Sequence, residues 1–135
     1  MSVGFLLVHA ERRAYGLPLD RVVEVADLTE VLEVPRAEPA MRGLTPLRGR
    51  LVPLVHLAAF LGQRTPPPEL GRAVVVVRLG GRLVAFEVDD AEEVVREAAL
   101  PLPDGASLPW AMGVAPREDG LVPVLDLEAL GDRIG

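Results

Sequence analysis

The string Leu-Val-Pro-Leu-Val-His-Leu at residues 51–57 occurs a second time in the chain, in slightly altered form. It returns 70 residues later as Leu-Val-Pro-Val-Leu-Asp-Leu at residues 121–127. Just upstream, Gly43–Pro46 returns as Gly113–Pro116 at the same offset. Two matched strings in one order and at one offset indicate an internal repeat, the feature to look for first in an unfamiliar sequence.

The repeat extends towards the beginning of each half. The further matches, at an offset of 69 residues, are Phe5–Val8 with Val74–Val77, Leu19-Asp20 with Val88-Asp89, and Glu24-Val25 with Glu93-Val94. The change of offset implies one inserted residue between Val94 and Gly113. Matching blocks in a constant order predict that the chain is a duplicated unit.

Each copy predicts short β-strands. The β-branched run Val74–Val77 is followed by Gly80-Gly81, which favours a tight hairpin turn before the next strand. Residues Ala91–Val95 could form a helix on propensity alone. Their alignment with Arg21–Val25, which is rich in β-branched residues, predicts a strand instead.

Short helical turns are expected directly after the two repeated strings. They should cover Leu57–Leu61 in the first copy and Leu127–Leu130 in the second. Gly62 and Gly131 follow these segments, and glycine commonly ends a helix because it adopts positive φ without strain. The two helices are therefore expected to be equivalent and short.

About five short strands per copy is typical of a small barrel. The sequence predicts a mainly β fold of two tandem five-stranded β-barrels with short helical turns. We expect one domain over residues 1–135, with a first barrel over 1–66 and a second over 71–135. A proline-rich connector containing Pro66-Pro67-Pro68 should join them as a stiff spacer. Because a unit of about 65 residues is marginally stable alone, the barrels should pack on each other.

Composition excludes several classes of protein. The net charge of −6 argues against nucleic-acid binding, which depends on neutralising phosphates with Lys and Arg. One Trp, one Tyr and three Phe are too few for a base-stacking platform. No apolar run approaches the roughly 20 residues that span a bilayer, so we expect no membrane protein. Cysteine is absent, which excludes disulfides and thiolate chemistry.

No catalytic or metal-binding constellation is recognisable in the sequence. Adjacent carboxylates such as Asp89-Asp90 point to opposite faces of a strand, so they do not form an acid–base dyad. His9 and His56 lack metal-ligand spacing, and Ser2 and Ser107 lack a nucleophile motif. We therefore expect a protein that is not an enzyme, with no catalytic residues, metal or cofactor.

The two copies differ at positions where function is best sought, since shared residues serve shared folding needs. Between the paired strands the first copy has Leu47–Arg50 (LRGR), whereas the second has Arg117–Gly120 (REDG). One turn is dibasic and the other partly acidic. His56 also stands where the second copy has Asp126, and Asp is the better helix N-cap.

The chain resembles the CheW-like family. Residues 41–55, MRGLTPLRGRLVPLV, resemble the family's strand ending in Leu-Arg-Gly and the following apolar-x-Pro-apolar-apolar strand. Other segments resembling the family are Tyr15–Leu19 with Val22–Val25, Phe86–Asp89 with Glu93-Val94, and the closing strand Leu121–Leu127. The resemblance covers essentially the whole chain in the family's order.

This resemblance implies two SH3-like five-stranded β-barrels in the CheW-like fold. It implies a non-catalytic adaptor that couples methyl-accepting chemoreceptors to the regulatory domain of the histidine kinase CheA, in bacterial chemotaxis or related motility signalling. Such an adaptor is expected in the cytoplasm, associated with membrane-bound receptor arrays. The resemblance also implies a receptor-binding groove between the barrels, formed by Arg48 and Gly49, with Val23, Glu24 and Val25 as further candidates.

One departure from the family keeps alternatives open. The family usually has Asp after the proline-containing strand, whereas this chain has His56-Leu57-Ala58. A divergent paralogue, such as one serving type IV pilus signalling, fits this departure, and a separate domain descended from a CheA regulatory domain is a second alternative. A small-barrel enzyme would need convergent acids in a polar pocket, and a nucleic-acid-binding barrel would need a basic groove.

Overall fold

The chain folds into β-strands with two short helices. A computed structural model describes residues 4–35, 40–64, 66–67, 69–105, 108–118 and 120–134. Within these residues the strands are β1 Phe5–Ala10, β2 Arg13–Pro18, β3 Val22–Asp27, β4 Met41–Leu47, β5 Arg50–His56, β6 Ala73–Leu79, β7 Arg82–Val88, β8 Asp90–Val95, β9 Ala111–Arg117 and β10 Gly120–Leu125. The helices are α1 Leu57–Phe60 and α2 Leu127–Ile134, with a 3-10 turn at Leu19–Arg21. The predicted mainly β fold, including the strand at β8, is confirmed.

Two five-stranded sheets make up the described part of the fold, one for each predicted barrel. Sheet 1 has the order β8-β1-β2-β10-β9, and sheet 2 has the order β3-β6-β7-β5-β4. Replacing every strand by its counterpart in the other half of the sequence converts one order into the other. Neighbours are antiparallel except for the pairs β2–β10 and β5–β7, which are parallel.

Each sheet contains strands from both halves of the sequence. β1 and β2 join β8, β9 and β10, while β3, β4 and β5 join β6 and β7. The sheets therefore do not follow the expected boundaries at 1–66 and 71–135. The reason is that a sequence repeat identifies equivalent strands but not their partners. β1 pairs with β8 although its own copy contains the equivalent strand, β3.

Strand registers repeat between the sheets as well. The parallel pair Leu54↔Ala85 in sheet 2 corresponds to Val124↔Gly16 in sheet 1. The isolated bridge Leu32↔Leu44 corresponds to Leu100↔Val114. Chance similarity between two β-rich halves would not reproduce the register at each of these positions. The duplication predicted from the sequence is therefore confirmed.

The largest hydrophobic cluster joins the two sheets to each other and to both helices. Its fully buried members include Leu17 on sheet 1, Phe86 on sheet 2, Leu57 of α1 and Leu130 of α2. Smaller clusters belong to single sheets: Val52, Leu54, Val74, Val76 and Ala85 on sheet 2 with Leu28 just after β3, and Phe5, Val95, Ala115 and Val124 on sheet 1. The expectation that the barrels pack on each other is confirmed, because most of the core lies in the shared cluster.

The two helices differ in length. α1 ends before Gly62, which has φ +98°, as expected for a glycine that terminates a helix. α2 continues through Gly131 to Ile134, so the expectation that Gly131 ends it is wrong. Glycine within a helix costs only about 1 kcal/mol relative to Ala. At position 131 a β-carbon would lie 3.6 Å from Leu79 Cβ, so Gly131 sits in ordinary contact distance of sheet 2.

Two equivalent glycines explain one of the repeated strings. A β-carbon at Gly43 would collide with the carbonyl oxygen of Leu32, and one at Gly113 would collide with that of Leu100. In both copies an irregular segment therefore packs directly against the backbone of the glycine. Backbone hydrogen bonds to Leu44 and Val114 hold these segments in place. The shared Gly-x-x-Pro string meets a folding need of each copy.

Candidate protein-interaction surface

Arg48 lies in the tight turn that connects β4 to β5. The closing pair is Leu47↔Arg50, and the two central residues have positive φ, +50° at Arg48 and +77° at Gly49. Such a type I′ turn matches the twist of the flanking strands. It projects the Arg48 side chain outward, with 79% of its surface exposed. Nothing lies within 4 Å of a β-carbon built at Gly49, so the turn is open to a partner.

Glu24 on β3 holds the Arg48 guanidinium. Arg48 Nε donates to Glu24 Oε1 at 3.0 Å, and Nη2 donates to Oε2 at 3.2 Å, which is a two-point contact. The hydrogen bond and the charge of Glu24 raise the pKa of Arg48 above its usual value. β3 and the β4–β5 turn lie at the two edges of sheet 2, so this ion pair bridges the opening between its edge strands.

The predicted receptor-binding residues fall on one surface, here named the Arg48 surface: Val23, Glu24, Val25, Arg48 and Gly49. Val23, Glu24 and Arg48 line a common groove together with Leu47, Arg50, Val52, Val76, Arg78 and Leu83. Val25 is exposed further along the same strand. The groove residues all come from sheet 2, so the groove lies on one barrel, whereas a position between the barrels was expected. Receptor binding by this surface stays a prediction.

An equivalent ion pair occurs on the other sheet. Arg117 Nη2 lies 2.6 Å from Glu93 Oε1, and this contact joins β9 to β8, the edge strands of sheet 1. Glu93 is the counterpart of Glu24, but Arg117 aligns with Leu47, one position before Arg48. Comparing the sequences of the two turns did not reveal this equivalent ion pair, because Arg117 and Arg48 are displaced by one residue in the alignment. Val94, the exposed counterpart of Val25, was also not singled out.

His56 is fully buried at the start of α1. Its Nδ1 accepts a hydrogen bond from the Ala59 N–H at 3.1 Å. Asp126 caps α2 in the same way, with its Oδ1 accepting from the Ala129 N–H at 3.1 Å. The prediction that His56 begins a helix is confirmed. Among the described residues, the other ring nitrogen, Nε2, has no hydrogen-bond partner.

Charged side chains lie around His56, and two of them, Arg42 and Glu87, are buried. Arg42 Nε donates to Glu87 Oε1 at 2.5 Å, and Glu87 is the direct cross-strand neighbour of His56. Arg72 lies near the same carboxylate, at 3.8 Å, and pairs with Asp89. We name these five residues the buried ionic cluster: Arg42, His56, Arg72, Glu87 and Asp89.

Burial and the neighbouring arginines keep His56 neutral. Burial lowers the pKa of His56 to about 4, and the positive charges of Arg42 and Arg72 act in the same direction while Asp89 opposes them. The two arginines are then balanced by the two carboxylates. Sheet 1 has Met112 and Pro18 at the positions equivalent to Arg42 and Glu87, so the cluster is specific to sheet 2. Sequence reasoning flagged His56 but missed its neighbours, which are distant along the chain.

The remaining acids do not assemble a reactive site. Asp90 pairs with His9 at 2.7 Å, and Asp89 accepts hydrogen bonds from the Glu11 N–H and from Arg72. In the part of the chain that the structure describes, no three His, Cys, Asp or Glu side chains are grouped to hold a metal ion. What the described residues present instead is exposed apolar and charged surface at the ends of two β-barrels. The fold and site thus define the class of small β-barrel interaction modules.

Comparison with known proteins identifies the particular family. The sequence model of the CheW-like domain family matches residues 4–134. This chain therefore belongs to the CheW-like family, whose members are non-catalytic scaffold proteins. It is 24% identical over 132 residues to the chemotaxis protein CheW of Klebsiella aerogenes, covering 93% of this chain and 80% of that protein. It is also 30% identical over 117 residues to the protein PilI of Pseudomonas aeruginosa, covering 78% of this chain and 63% of PilI.

A solved structure shows the same fold. The crystal structure of the scaffolding protein TtCheW from Thermoanaerobacter tengcongensis superposes with a TM-score of 0.83 at 21% sequence identity. The match covers 96% of this chain and 92% of TtCheW. The strand exchange between the two halves is therefore part of a fold seen in a crystal structure.

Proposed function

We propose that this chain is an adaptor that couples chemoreceptors to the histidine kinase CheA. An adaptor needs at least two separate binding surfaces, and the duplicated fold supplies them. Leu51 and Leu121 occupy equivalent positions at the starts of β5 and β10 and are 56% and 64% exposed. Large exposed apolar side chains next to grooves are typical of protein–protein contacts. This pair of matched, exposed sheet ends is the observation that carries the proposal.

The Arg48 surface is the proposed receptor contact. Val23 and Val25 provide exposed apolar area beside a guanidinium that Glu24 holds in a fixed orientation. Arginine suits such a position because its planar fork binds carboxylates or carbonyls while its stem packs on apolar surface. Contacts of this kind are individually small, and an array of receptors strengthens them through multivalency.

The two sheet ends are the proposed contacts to kinase regulatory domains. One groove, at the end of sheet 2, is lined by Leu51, Val52, Pro53 and Leu83 with neighbouring arginines. The other, at the end of sheet 1, contains the equivalent Leu121, Val122 and Pro123 together with Tyr15 and Trp110. Because the two grooves lie on different sheets, one chain could contact two regulatory domains and extend a ring.

The proposed location is the cytoplasmic side of receptor-containing membranes. None of the helices in the described residues is long and apolar enough to cross a bilayer. We propose that the chain reaches the membrane by binding receptors.

Co-sedimentation tests this function. Membranes containing a chemoreceptor are mixed with CheA in the presence and absence of this chain, and the kinase in the pellet is quantified. If the chain is the adaptor, CheA sediments with the membranes only when the chain is present. Equal amounts of CheA in both pellets would exclude a coupling role.

A pilus-associated paralogue is the second candidate. The 30% identity to PilI and the His56 departure favour it. The same assay distinguishes the candidates when receptors and kinases of a flagellar system and a type IV pilus system are compared. Coupling only to the pilus set would assign the chain to that system.

A further inference from the structure

A cavity opens at the end of sheet 1, and we name it the sheet 1 cavity. Its lining includes Arg12, Arg13, Tyr15, Trp110 and the segment Leu121–Pro123. Its volume of about 470 Å³ lies within the range of roughly 300–1,000 Å³ that is typical of small-molecule sites. The equivalent groove at the end of sheet 2 encloses only about 260 Å³. The two ends of the duplicated fold therefore differ in the size of ligand that they can hold.

Two smaller side chains contribute to the larger volume. Ala14 lines the sheet 1 cavity at the position equivalent to Leu83 of the sheet 2 groove. Gly120 lines it at the position equivalent to Arg50. The apolar string Leu-Val-Pro is the same in both grooves. Because sheet 2 forms the equivalent strand pairs with the larger side chains in place, the fold itself does not require this cavity.

An aromatic pair also distinguishes the sheet 1 cavity. The equivalents of Trp110 and Tyr15 on the side of sheet 2 are Ala40 and Val84. The two ring centroids are 6.0 Å apart at an interplanar angle of 64°, which is an edge-to-face contact. Tyr15 is buried and its hydroxyl is engaged by Gln63, whereas Trp110 stays partly exposed at the cavity. The indole is thus held in place and offers a stacking surface to a planar ligand.

Three arginines line the sheet 1 cavity, and two of them lack an ionic partner in the described part of the chain. Arg117 is paired with Glu93. Arg12 and Arg13 form no ion pair with the described residues. Of the described residues that line the cavity, none is Asp or Glu. The cavity therefore presents two guanidinium groups to a ligand beside an indole.

The backbone of the β1–β2 turn indicates that folding alone does not account for Arg12. Both central residues of this turn have positive φ, +49° at Glu11 and +71° at Arg12. Glycine adopts such a conformation most readily, and the equivalent turn between β6 and β7 has Gly80-Gly81. A side chain at this position raises the free energy of the fold, yet here it adds a positive charge to the cavity.

We propose that the sheet 1 cavity binds a small aromatic anion of the nucleoside monophosphate class. The base would stack on Trp110, and the phosphate would pair with Arg12 and Arg13. A phosphate monoester carries a charge of about −1.5 to −2 at pH 7, which matches two guanidinium groups. A single indole suits one base rather than a strand, and the net charge of −6 opposes a long polyanion more than a small ligand that meets only the cavity.

The single tryptophan of the chain makes the site directly observable. Because Trp110 is the only Trp, a base that stacks on it changes the whole tryptophan fluorescence of the protein. The chain is titrated with adenosine and guanosine 5′-monophosphate, and with adenosine and ribose 5-phosphate, each of which carries one half of the ligand. Calorimetry measures the same affinities independently. The nucleotides should bind at least roughly tenfold more tightly than either half, because stacking and charge-assisted hydrogen bonds each contribute to affinity.

Two variants and a matched control test the assignment of residues. Arg12→Gly/Arg13→Ala removes both guanidinium groups, and glycine also suits the positive φ at position 12. Ala14→Leu keeps every charge but fills the cavity with the side chain found at the equivalent position of sheet 2. Both should weaken nucleotide binding at least roughly tenfold. Arg64→Ala/Arg96→Ala removes two exposed arginines elsewhere and should bind like wild type. Circular dichroism confirms that each variant is folded.

Four results would overturn the proposal. Absence of saturable binding by both nucleotides would exclude such a site. Wild-type affinity in Arg12→Gly/Arg13→Ala or in Ala14→Leu would place the ligand elsewhere. Equal binding of ribose 5-phosphate and the nucleotides would reduce the site to a phosphate contact without a role for Trp110. Tighter binding of indole-3-acetate than of either nucleotide would assign the cavity to aromatic carboxylates. None of these measurements involves receptor or kinase, so each result leaves the adaptor function standing.

The sheet 1 cavity overlaps the groove proposed as a kinase contact, and the regulatory consequence of this overlap rests on the proposed function. A bound nucleotide would occupy the space beside Leu121–Pro123 and exclude a regulatory domain from sheet 1, while the sheet 2 groove stays free. Saturating nucleotide should therefore halve the number of regulatory domains that calorimetry finds bound per chain. An unchanged number would contradict this consequence, whereas a chain that binds no regulatory domain even without nucleotide would contradict the adaptor function.

Discussion

At the scale of single residues, Arg48 combines high exposure with a fixed orientation. Its guanidinium is held by Glu24 across the edge strands of sheet 2, and its turn leaves it open to a partner. We expect Arg48→Glu to abolish co-sedimentation with receptor and to change the melting temperature little, because a turn side chain with 79% exposure makes few contacts in the fold.

Two variants control this prediction. Arg64→Glu reverses an exposed arginine outside the Arg48 surface and should retain receptor binding. The exchange Glu24→Arg/Arg48→Glu restores an ion pair with reversed polarity, so it separates a need for Arg48 itself from a need for the bridge. Normal co-sedimentation of Arg48→Glu would remove this residue from the receptor contact.

His56 raises a different question, since Asp at this position is both the family's usual residue and the better N-cap. Cap quality alone predicts that His56→Asp stabilises the protein slightly. The structure reverses that expectation, because Glu87 lies directly across from position 56 and the buried ionic cluster is already neutral. An added buried carboxylate should destabilise the fold by roughly 3 kcal/mol.

Glu87→Gln should rescue that loss. In the double variant His56→Asp/Glu87→Gln, the new carboxylate replaces the removed one beside Arg42, so the charge balance returns. Urea unfolding of wild type, both single variants and the double variant gives the coupling free energy. Additive effects of the two substitutions would show that positions 56 and 87 do not interact. A strong favourable coupling would indicate that this chain carries at position 87 the carboxylate that the family usually has at position 56, on the neighbouring strand.

The pKa of His56 also predicts a dependence of stability on pH. Its folded pKa is about 4, below the value of 6.5 for an ordinary histidine, so the unfolded chain binds more protons between these values. Stability from this group is complete above pH 6.5 and falls as the pH decreases towards 4, by up to about 1.4 kcal/mol per pH unit. His56→Asn keeps a capping side chain without titrating. Its unfolding free energy should therefore decline less than that of wild type between pH 7 and 5, and identical declines would contradict the assignment.

At the scale of strands and loops, the glycines of the repeated Gly-x-x-Pro string give a direct test. Gly43→Ala and Gly113→Ala should each destabilise the fold by more than about 1 kcal/mol, because a β-carbon collides with a neighbouring carbonyl oxygen. Gly43→Ala should cost more, since Gly43 also has φ +137°. Thermal unfolding of Gly81→Ala, an open turn position, serves as the control and should match wild type. A wild-type melting temperature for Gly113→Ala would show that the crossing segment moves freely.

The sequence predicted elements well and their partners poorly. The repeat placed β8 as a strand against its helix propensity, and it placed helix starts at His56 and Asp126. The repeat could not show that β8 pairs with β1. β3 and β8 are equivalent strands, so by sequence either of them could pair with β1. The repeat also could not find the buried ionic cluster, since Arg42 and Glu87 have no charged counterpart in the other half and lie far apart along the chain.

The candidate site was predictable to the extent that it depends on local patterns. The resemblance to the CheW-like family selected Val23, Glu24 and Arg48, and these residues do share a groove. Arg50 and Arg78, which line the same groove, were missed because they are brought together only when β5 and β6 both pair with β7. Net charge, a property of the whole chain, gave no sign that Arg48, Arg50 and Arg78 share one groove.

At the scale of the whole molecule, the exchange of strands makes the two halves dependent on each other. Sheet 1 needs β8, β9 and β10 beside β1 and β2, and the largest core cluster takes residues from both sheets and both helices. Without the second half, β1 and β2 would be an isolated hairpin, which is at best marginally stable in water. The two halves should therefore behave as one cooperative unit.

Separate expression of residues 1–66 and 71–135 tests this dependence. Neither fragment should be a folded monomer by circular dichroism and analytical ultracentrifugation, and mixing the two should restore the β-sheet signal and a cooperative unfolding transition. Because the halves are copies, a single fragment has one ordered alternative: two molecules could exchange strands, with β3 of one taking the place of β8 beside β1 of the other. A symmetric dimer of residues 1–66 would thus support the exchanged topology, since it reproduces the pairing of the full chain. A fragment that unfolds cooperatively as a monomer would contradict it, because such a fragment must close its sheet with its own strands.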